Sequence, residues 1–249
     1  MTEKIVLAQR EHKSVERQGQ LVYKIFDGHF PISDVLNEAL NQARVWESGL
    51  SIPKVLEIQR LGDRLAIVME HVGGEPLDKI MDRNPQKAGE LMNRFVDIQL
   101  ETQSRTVRLL NVMKEKMVRQ ISEAPLDPTI RYDLHTRVEA MPRKTKLCHG
   151  DFNPSNVLIN EDGSHAILDW SHATQGDPAA DAARTYLIFK LLGQNERAEA
   201  YAETYCLKAA IKRNEVNKWL PIVAGCQTLK GDDKEKEFLL RWVNVFEFE

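Results

Sequence analysis

Acidic and amide side chains lie close together in one segment of the second half of the sequence. Asp151 comes two residues after His149, Asn156 comes five residues after Asp151, and Asp169 comes thirteen residues after Asn156. Short apolar runs on both sides of a turn at residues 160–163 predict a β-hairpin between Asn156 and Asp169. Such a hairpin brings both side chains to one end. Their oxygens are hard ligands of the kind that magnesium prefers, although the same residue types are also common in plain polar turns.

This order and spacing resemble the catalytic loop of the protein-kinase-like superfamily. Its pattern is His-x-Asp, then Asn five positions after the Asp, then a strand pair that ends in a metal-binding Asp. Trp170 stands where protein kinases have Phe-Gly, and Asp-Trp is similar to the small-molecule branch of the superfamily. The segment 176–183, Gly-Asp-Pro-Ala-Ala-Asp-Ala-Ala, resembles the start of the next helix in the aminoglycoside phosphotransferase and choline kinase-like family.

The resemblance implies a role for each residue of the segment. Asp151 would orient the acceptor hydroxyl and accept its proton, and Asn156 and Asp169 would bind Mg²⁺ against the phosphate oxygens. His149 would brace the loop, and Asp181 would support it from beneath. ATP or GTP would be the phosphate donor.

The resemblance to kinases extends to candidate nucleotide-binding residues among the first 72 residues. Lys24 ends a Val-x-Lys run where kinases have the lysine that contacts the α- and β-phosphates, and Glu38 on the following helix would pair with it. Main-chain groups of Glu70 and Val72 would contact the adenine edge. A lysine on an edge strand and a glutamate on an amphipathic helix are, however, also ordinary surface residues.

The glycine-rich phosphate cover of kinases is missing from residues 8–15, Ala-Gln-Arg-Glu-His-Lys-Ser-Val. Without glycine the backbone cannot approach phosphates in the same strained conformation. Ser14 or backbone amides of this loop would have to substitute. No Walker A pattern occurs in the sequence, which excludes a P-loop kinase.

The elements that must position these residues follow from the hydrophobic pattern. The first seventy residues predict an antiparallel sheet with one helix, capped by Ser33, because β-rich runs occupy residues 5–8, 21–26, 55–58 and 65–69. After Gly73-Gly74 the pattern becomes helical, at residues 77–83, 86–104 and 107–123 and again before Pro142, with one β-rich interruption at 147–170. The expected fold is α+β and, by resemblance, a bilobal protein-kinase-like fold. We expect a nucleotide-binding lobe at residues 1–72 and a larger, mainly helical lobe at 73–249 with the catalytic loop and acceptor pocket.

The net charge and the lengths of the apolar runs indicate which kinds of partner to expect. A net charge of −3 argues against nucleic acid, and no apolar run approaches the roughly 20 residues of a membrane helix. We therefore expect a cytoplasmic protein whose partners are a nucleotide and a small hydroxylated substrate. Three widely spaced cysteines predict neither a zinc site nor a disulfide framework. The sequence does not predict an oligomeric state.

The function predicted from these features is transfer of a phosphate from ATP or GTP to a hydroxyl of an aminoglycoside-like or amino-alcohol substrate. The short link from Asp169 to Asp177 leaves no room for the activation loop of a protein kinase. One alternative is a catalytically weak, nucleotide-binding regulatory protein that retains the fold. Another is a metal hydrolase built on His149 and Asp151, but a dinuclear site requires further His and Asp clusters.

Aromatic and acidic residues near the C-terminus are predicted to belong to the core or to line the acceptor pocket, and the core is preferred for the aromatic ones. These residues are Tyr201, Tyr205, Trp219, Trp242, Asp232, Asp233, Glu235 and Glu237.

Overall fold

The computed structural model describes residues 4–229 and 233–243 of the 249-residue chain. It has two compact units, one formed by Met1–Asp82 with Pro154–Ala173 and the other by Arg83–Asn153 with Thr174–Glu249. The first unit thus includes residues 154–173, which the predicted division at residue 72 assigned to the second lobe. The functional division itself stays a prediction. Among the described residues, no helix combines the length and apolar character needed to cross a membrane.

Strands and helices occur largely in separate runs along the chain, as in an α+β fold. The strands are β1 (Lys4–Gln9), β2 (Lys13–Gln18), β3 (Leu21–Phe26), β4 (Val55–Leu61), β5 (Arg64–Glu70), β6 (Glu75–Pro76), β7 (Lys146–Cys148), β8 (Val157–Ile159), β9 (His165–Ile167) and β10 (Thr174–Gly176). The helices are α1 (Ile32–Trp46), α2 (Leu77–Arg83), α3 (Ala88–Ser104), α4 (Met113–Glu123), α5 (Pro128–Ala140), α6 (Pro178–Leu191), α7 (Asn195–Ala209), α8 (Arg213–Asn217), α9 (Leu220–Gln227) and α10 (Asp233–Val243).

The first unit contains an antiparallel sheet in the order β1-β2-β3-β5-β4. The turn predicted between β4 and β5 is present, with Gly62 in the left-handed region at φ 67°. Strand β2 was not predicted, because its sequence Lys-Ser-Val-Glu-Arg-Gln has little apolar character. It forms because the backbone groups of both neighbouring strands pair with it along its length.

Helix α1 packs its apolar face on this sheet. Val35 and Ala39 share a buried cluster with Val22 and Phe26 of β3, as the predicted helical spacing requires. The predicted N-cap was wrong, because the helix begins before Ser33. The carbonyl of Pro31 instead accepts the first helical hydrogen bonds, and no side chain caps the helix.

The predicted hairpin is present in the first unit as β8 and β9, with β6 as a third strand beside β8. Gly74 precedes β6 at φ 114°, and a Cβ added there would lie 3.1 Å from the main-chain carbonyl of Ile159. Only glycine fits such a close approach in this backbone conformation without strain.

The second unit packs its helices around aromatic side chains, including Phe95 of α3, Phe152, and Tyr201 of α7. Helix α6 starts as predicted, with the side chain of Asp177 accepting a hydrogen bond from the Ala179 amide at 3.0 Å. The helix predicted at 107–123 is shorter and begins at Met113. Carbonyl groups of the preceding residues are instead hydrogen-bonded to Gln175, which holds that segment beside β10.

Candidate active site

The first unit holds a buried cluster of one lysine and two carboxylates. Lys24 on β3 forms an ion pair with Glu38 on α1, and its Nζ donates a hydrogen bond to Asp169 Oδ1 at 3.1 Å. Only 11% of the Lys24 side chain and 4% of the Glu38 side chain are exposed, so this is no surface pair. The register of β3 places Lys24 on the same face as Val22 and Phe26, which is the face that α1 covers.

The electrostatics of this cluster favour a charged lysine. Burial acts to lower the pKa of Lys24, but the charges of Asp169 and Glu38 and their hydrogen bonds outweigh it, so the pKa is raised. Two carboxylates around one ammonium leave a formal excess of one negative charge. The charge of Lys13 also acts on this cluster, and including it balances the formal charge.

Asp169 lies just after the hairpin in an unusual backbone conformation, at φ 59° and ψ 69°. A non-glycine residue in this region is strained, although aspartate tolerates it better than most. The Leu168 amide donates to the Asn156 carbonyl at 2.8 Å, so Asn156 and Asp169 lie at the same end of the hairpin. Ser171 Oγ donates to Asp169 Oδ1 at 3.0 Å and helps to fix the carboxylate.

These two residues fit a magnesium ion. One carboxylate and one carboxamide supply hard oxygen ligands, and Mg²⁺ is usually bound by one or two protein groups with water and phosphate oxygens as the rest. In the described part of the chain, no cluster of three or more His, Cys, Asp or Glu side chains is arranged to hold a metal ion. The donor set therefore suits magnesium bound together with phosphates better than a dinuclear hydrolase site.

Asp151 lies in the second unit on the loop between β7 and β8. Its Oδ1 accepts a hydrogen bond from Arg184 Nη2 on α6 at 3.1 Å. Its backbone amide donates to Nδ1 of the fully buried His149 at 3.2 Å, which agrees with the bracing role predicted for His149. The Asp151 side chain is 29% exposed, so solvent or a substrate can reach it.

Asp181 on α6 supports this loop from within the second unit. Its Oδ1 accepts a hydrogen bond from the Gly150 amide at 2.7 Å, and its Oδ2 accepts one from Gln103 at 3.1 Å. Tyr205 in turn donates to Gln103 Oε1 at 2.7 Å. The buried carboxylate is thus satisfied by neutral donors and held rigidly, which is the scaffolding arrangement expected for Asp181.

Comparison with known proteins places the chain in a family. The family model described as the phosphotransferase enzyme family matches residues 12–216. The chain belongs to this family. No curated protein matches the sequence of this phosphotransferase.

Solved structures share its fold at low sequence identity. The aminoglycoside phosphotransferase APH(4)-Ia is 16% identical with a TM-score of 0.71, and the match covers 98% of this chain and 92% of that chain. A choline/ethanolamine kinase family protein from Mesorhizobium loti is 17% identical with a TM-score of 0.65, covering 99% and 90%. The aminoglycoside phosphotransferase APH(3'')-Id from Streptomyces rimosus is 17% identical with a TM-score of 0.64, covering 90% and 92%. The predicted protein-kinase-like α+β fold is confirmed.

The remaining predicted nucleotide contacts lie outside the Lys24 cluster. Ser14 pairs with Ile25 across β2 and β3, so its side chain is on the opposite face of the sheet from Lys24. The Glu70 amide donates to the Lys54 carbonyl at 2.9 Å and is therefore already paired within the first unit. Val72 is half-buried between β5 and β6. The nucleotide-binding roles of these residues stay predictions.

Two basic residues of the phosphotransferase were not predicted as part of the site. Lys13 on β2 shares the sheet face of Lys24, and its Nζ lies 4.7 Å from the ring centre of Phe30. Burial and the charge of Lys24 lower the pKa of Lys13. Arg184 follows Asp181 by one helical turn, and that spacing is the signal that could have revealed it.

The predicted C-terminal residues divide between the core and the surface. The preference for a core role is confirmed for Tyr201, Tyr205 and Trp219, each of which is at most 1% exposed. They therefore form no exposed wall for a cationic acceptor. Trp242 packs edge-on against Tyr186. Asp232 lies outside the described residues.

Proposed function

We propose that this phosphotransferase moves the γ-phosphate of ATP or GTP to a hydroxyl group of a small molecule in the presence of Mg²⁺. The observation that carries the proposal is the buried cluster of Lys24, Glu38 and Asp169 in a member of the phosphotransferase family. A buried lysine shared by two carboxylates is costly to maintain for stability alone. A role in binding the phosphate groups of a nucleotide and their metal ion would explain why the charged cluster is present.

Each residue would contribute one interaction to the transfer. Lys24 would donate hydrogen bonds to phosphate oxygens while Glu38 orients it, and Asn156 and Asp169 would hold Mg²⁺. When bound, Mg²⁺ would neutralise the charge of the phosphate oxygens. Asp151 would accept the proton of the acceptor hydroxyl. The hydroxyl oxygen then forms the new bond to the γ-phosphorus as the bond to the β–γ bridging oxygen breaks, and the nucleoside diphosphate leaves.

Similar solved structures support both substrates. APH(4)-Ia was crystallised as ternary complexes of thermostable mutants with hygromycin B and either AMP-PNP or ADP. By extension from such relatives, we propose a nucleotide and a small hydroxylated molecule as the partners of this chain. An aminoglycoside-like compound and an amino alcohol are the two acceptor classes to test first. The predicted cytoplasmic location and lack of a nucleic-acid partner stay predictions.

The decisive experiment is an acceptor screen that follows ADP or GDP release with Mg-ATP and Mg-GTP. The acceptors are aminoglycosides, other hydroxylated antibiotics, choline-like amino alcohols and sugars. On a verified acceptor, Asp151→Asn should abolish transfer and leave nucleotide binding largely intact, whereas Asp169→Ala should weaken both. Asp133→Asn removes the carboxylate of an aspartate–arginine pair on α5 with a separation of 2.7 Å and serves as the matched control.

Two outcomes would contradict the proposal in different ways. Equal turnover by wild type and Asp151→Asn would remove Asp151 from the reaction. Magnesium-dependent nucleotide binding without transfer to any acceptor would instead support the alternative of a catalytically weak regulatory protein. That alternative draws on the absence of glycine from residues 8–15.

A further inference from the structure

One face of helix α6 contacts three successive residues of the catalytic loop. Residues 181, 184 and 185 are spaced i, i+3 and i+4, so their side chains leave the helix on the same side. The three contacts are Gly150 N to Asp181 Oδ1 at 2.7 Å, Arg184 Nη2 to Asp151 Oδ1 at 3.1 Å, and Thr185 Oγ1 to the Phe152 carbonyl at 2.8 Å. The helix therefore holds the loop residue by residue.

Arg184 differs from its neighbours on this face because it contacts a side chain. Asp181 and Thr185 bind backbone groups and so fix the path of the loop. The guanidinium instead holds Oδ1 of Asp151, while Asn153 Nδ2 lies 3.4 Å from Oδ2. The contact with Arg184 thus restricts the rotation of the carboxylate.

The burial of Arg184 is unfavourable for stability. Its side chain is 17% exposed, and its Nε and Nη1 atoms are buried without a hydrogen-bond partner among the residues that the structure describes. Burial lowers the pKa of Arg184, against the charges of Asp151, Glu235 and Asp181, which act to raise it. An apolar side chain of similar length would bury no unsatisfied donors. Stability alone therefore does not account for an arginine at this position.

We propose that Arg184 is a positioning residue for phosphate transfer, which holds the Asp151 carboxylate in the orientation that accepts the proton of the acceptor hydroxyl. The inference rests on the proposed function, because it assumes that Asp151 takes this proton. Arg184 acts through Asp151 and needs no contact of its own with the substrate. The competing explanation is that Arg184 only ties α6 to the loop and supports the fold.

The test compares Arg184→Met, Arg184→Lys and the control Arg137→Met on a verified acceptor. Arg137 also pairs with an aspartate, at 2.7 Å, but the pair lies on α5, which makes it a chemically matched change elsewhere. We expect Arg184→Met to lower kcat by about 10- to 100-fold, because small misplacements of a reacting group have effects of this size. The KM for the nucleotide should stay unchanged, because Arg184 pairs with Asp151 and not with the Lys24 cluster. The melting temperature should change little, because the Asp151 carboxylate that loses this partner is 29% exposed and can be hydrated.

Arg184→Lys keeps the positive charge and should recover part of the lost turnover. In the Asp151→Asn background, Arg184→Met should cause little further loss of residual turnover, because a residue that acts through Asp151 has nothing left to position. Residual turnover can be followed by transfer of a radiolabelled γ-phosphate. A purely structural residue would give losses that multiply.

Three results would overturn the positioning role while leaving the proposed function in place. They are wild-type kcat in Arg184→Met, a loss of kcat that disappears at lower temperature along with a lowered melting temperature, and losses that multiply with Asp151→Asn. Absence of transfer by the wild-type protein to every acceptor would be a different failure. It would overturn the proposed function and, with it, this inference.

Discussion

Replacement of Lys24 by methionine tests whether the buried charge cluster is arranged as described. The substitution removes the ammonium group that lies between Glu38 and Asp169, and leaves the Glu38 carboxylate only 4% exposed. Breaking a buried ion pair by removing one partner costs about 3–5 kcal/mol, because the remaining charge is uncompensated. Asp169 is 26% exposed and carries a second negative charge, so it cannot compensate the charge of Glu38 in the variant.

This loss is large enough to measure by thermal and urea unfolding. In a protein of this size, 1 kcal/mol corresponds to about 2–4 °C in Tm, so we expect Tm to fall by roughly 6–20 °C. The raised pKa of Lys24 means that its stabilisation is fully present below its ordinary value of 10.5 and is lost only as the pH rises through the folded value. Titration of Lys24 itself therefore adds no pH dependence to this loss between neutral and mildly acidic pH.

Two further variants separate the charge effect from lost packing. Lys24→Met combined with Glu38→Leu removes both charges and should recover about 2 kcal/mol or more over Lys24→Met alone. Lys208 pairs with Asp97 at 2.7 Å on the surface, where Asp97 is 60% exposed, so Lys208→Met should cost less than about 1 kcal/mol. A Lys24→Met protein as stable as wild type, or a double variant no more stable than the single one, would refute the reasoning.

Two other properties of the structure are directly measurable. The hydrogen bond that the His12 ring donates to the Asp27 carboxylate raises the pKa of His12 above 6.5, so NMR titration should show a midpoint above that value that falls in Asp27→Asn. The stabilisation from this pair is lost as the pH rises through the raised pKa of His12 and also as it falls through the lowered pKa of Asp27, so it is present only between the two. An unchanged midpoint in the variant would exclude the contact. Gly176→Ala should cost about 1–3 kcal/mol in urea unfolding, because the added Cβ would lie 2.5 Å from Met113 Cβ. Gly89→Ala, where nothing lies within 4 Å, should cost nothing, and equal effects of the two substitutions would contradict the packing described.

The local sequence pattern was sufficient to predict most of the helices and strands. The hairpin of β8 and β9, the start of α6 and the bounds of α2 follow from short-range rules of turns, caps and periodicity. The errors arose where distant backbone groups compete with local preference. Strand β2 is polar and exists because two neighbours pair with it, and α4 is shortened because Gln175 binds the segment before Met113.

The sequence by itself determined the chemical types and the order of the residues in the candidate active-site segment. Asp151, Asn156 and Asp169 are separated by short distances along the chain, so the sequence predicted a loop and a hairpin there, and the resemblance to the kinase catalytic loop implied oxygen ligands. It also specified where α6 begins, since Asp177 and Pro178 form a strong local start signal.

Only the tertiary structure decided which charges are paired and buried. Lys24 and Glu38 fit an exposed surface equally well in the sequence, and the packing of α1 on the sheet is what buries them. Lys24 and Asp169 are 145 residues apart, and Asp151 and Arg184 are 33 apart. Contacts at such separations depend on how whole elements pack, and no local preference encodes that packing.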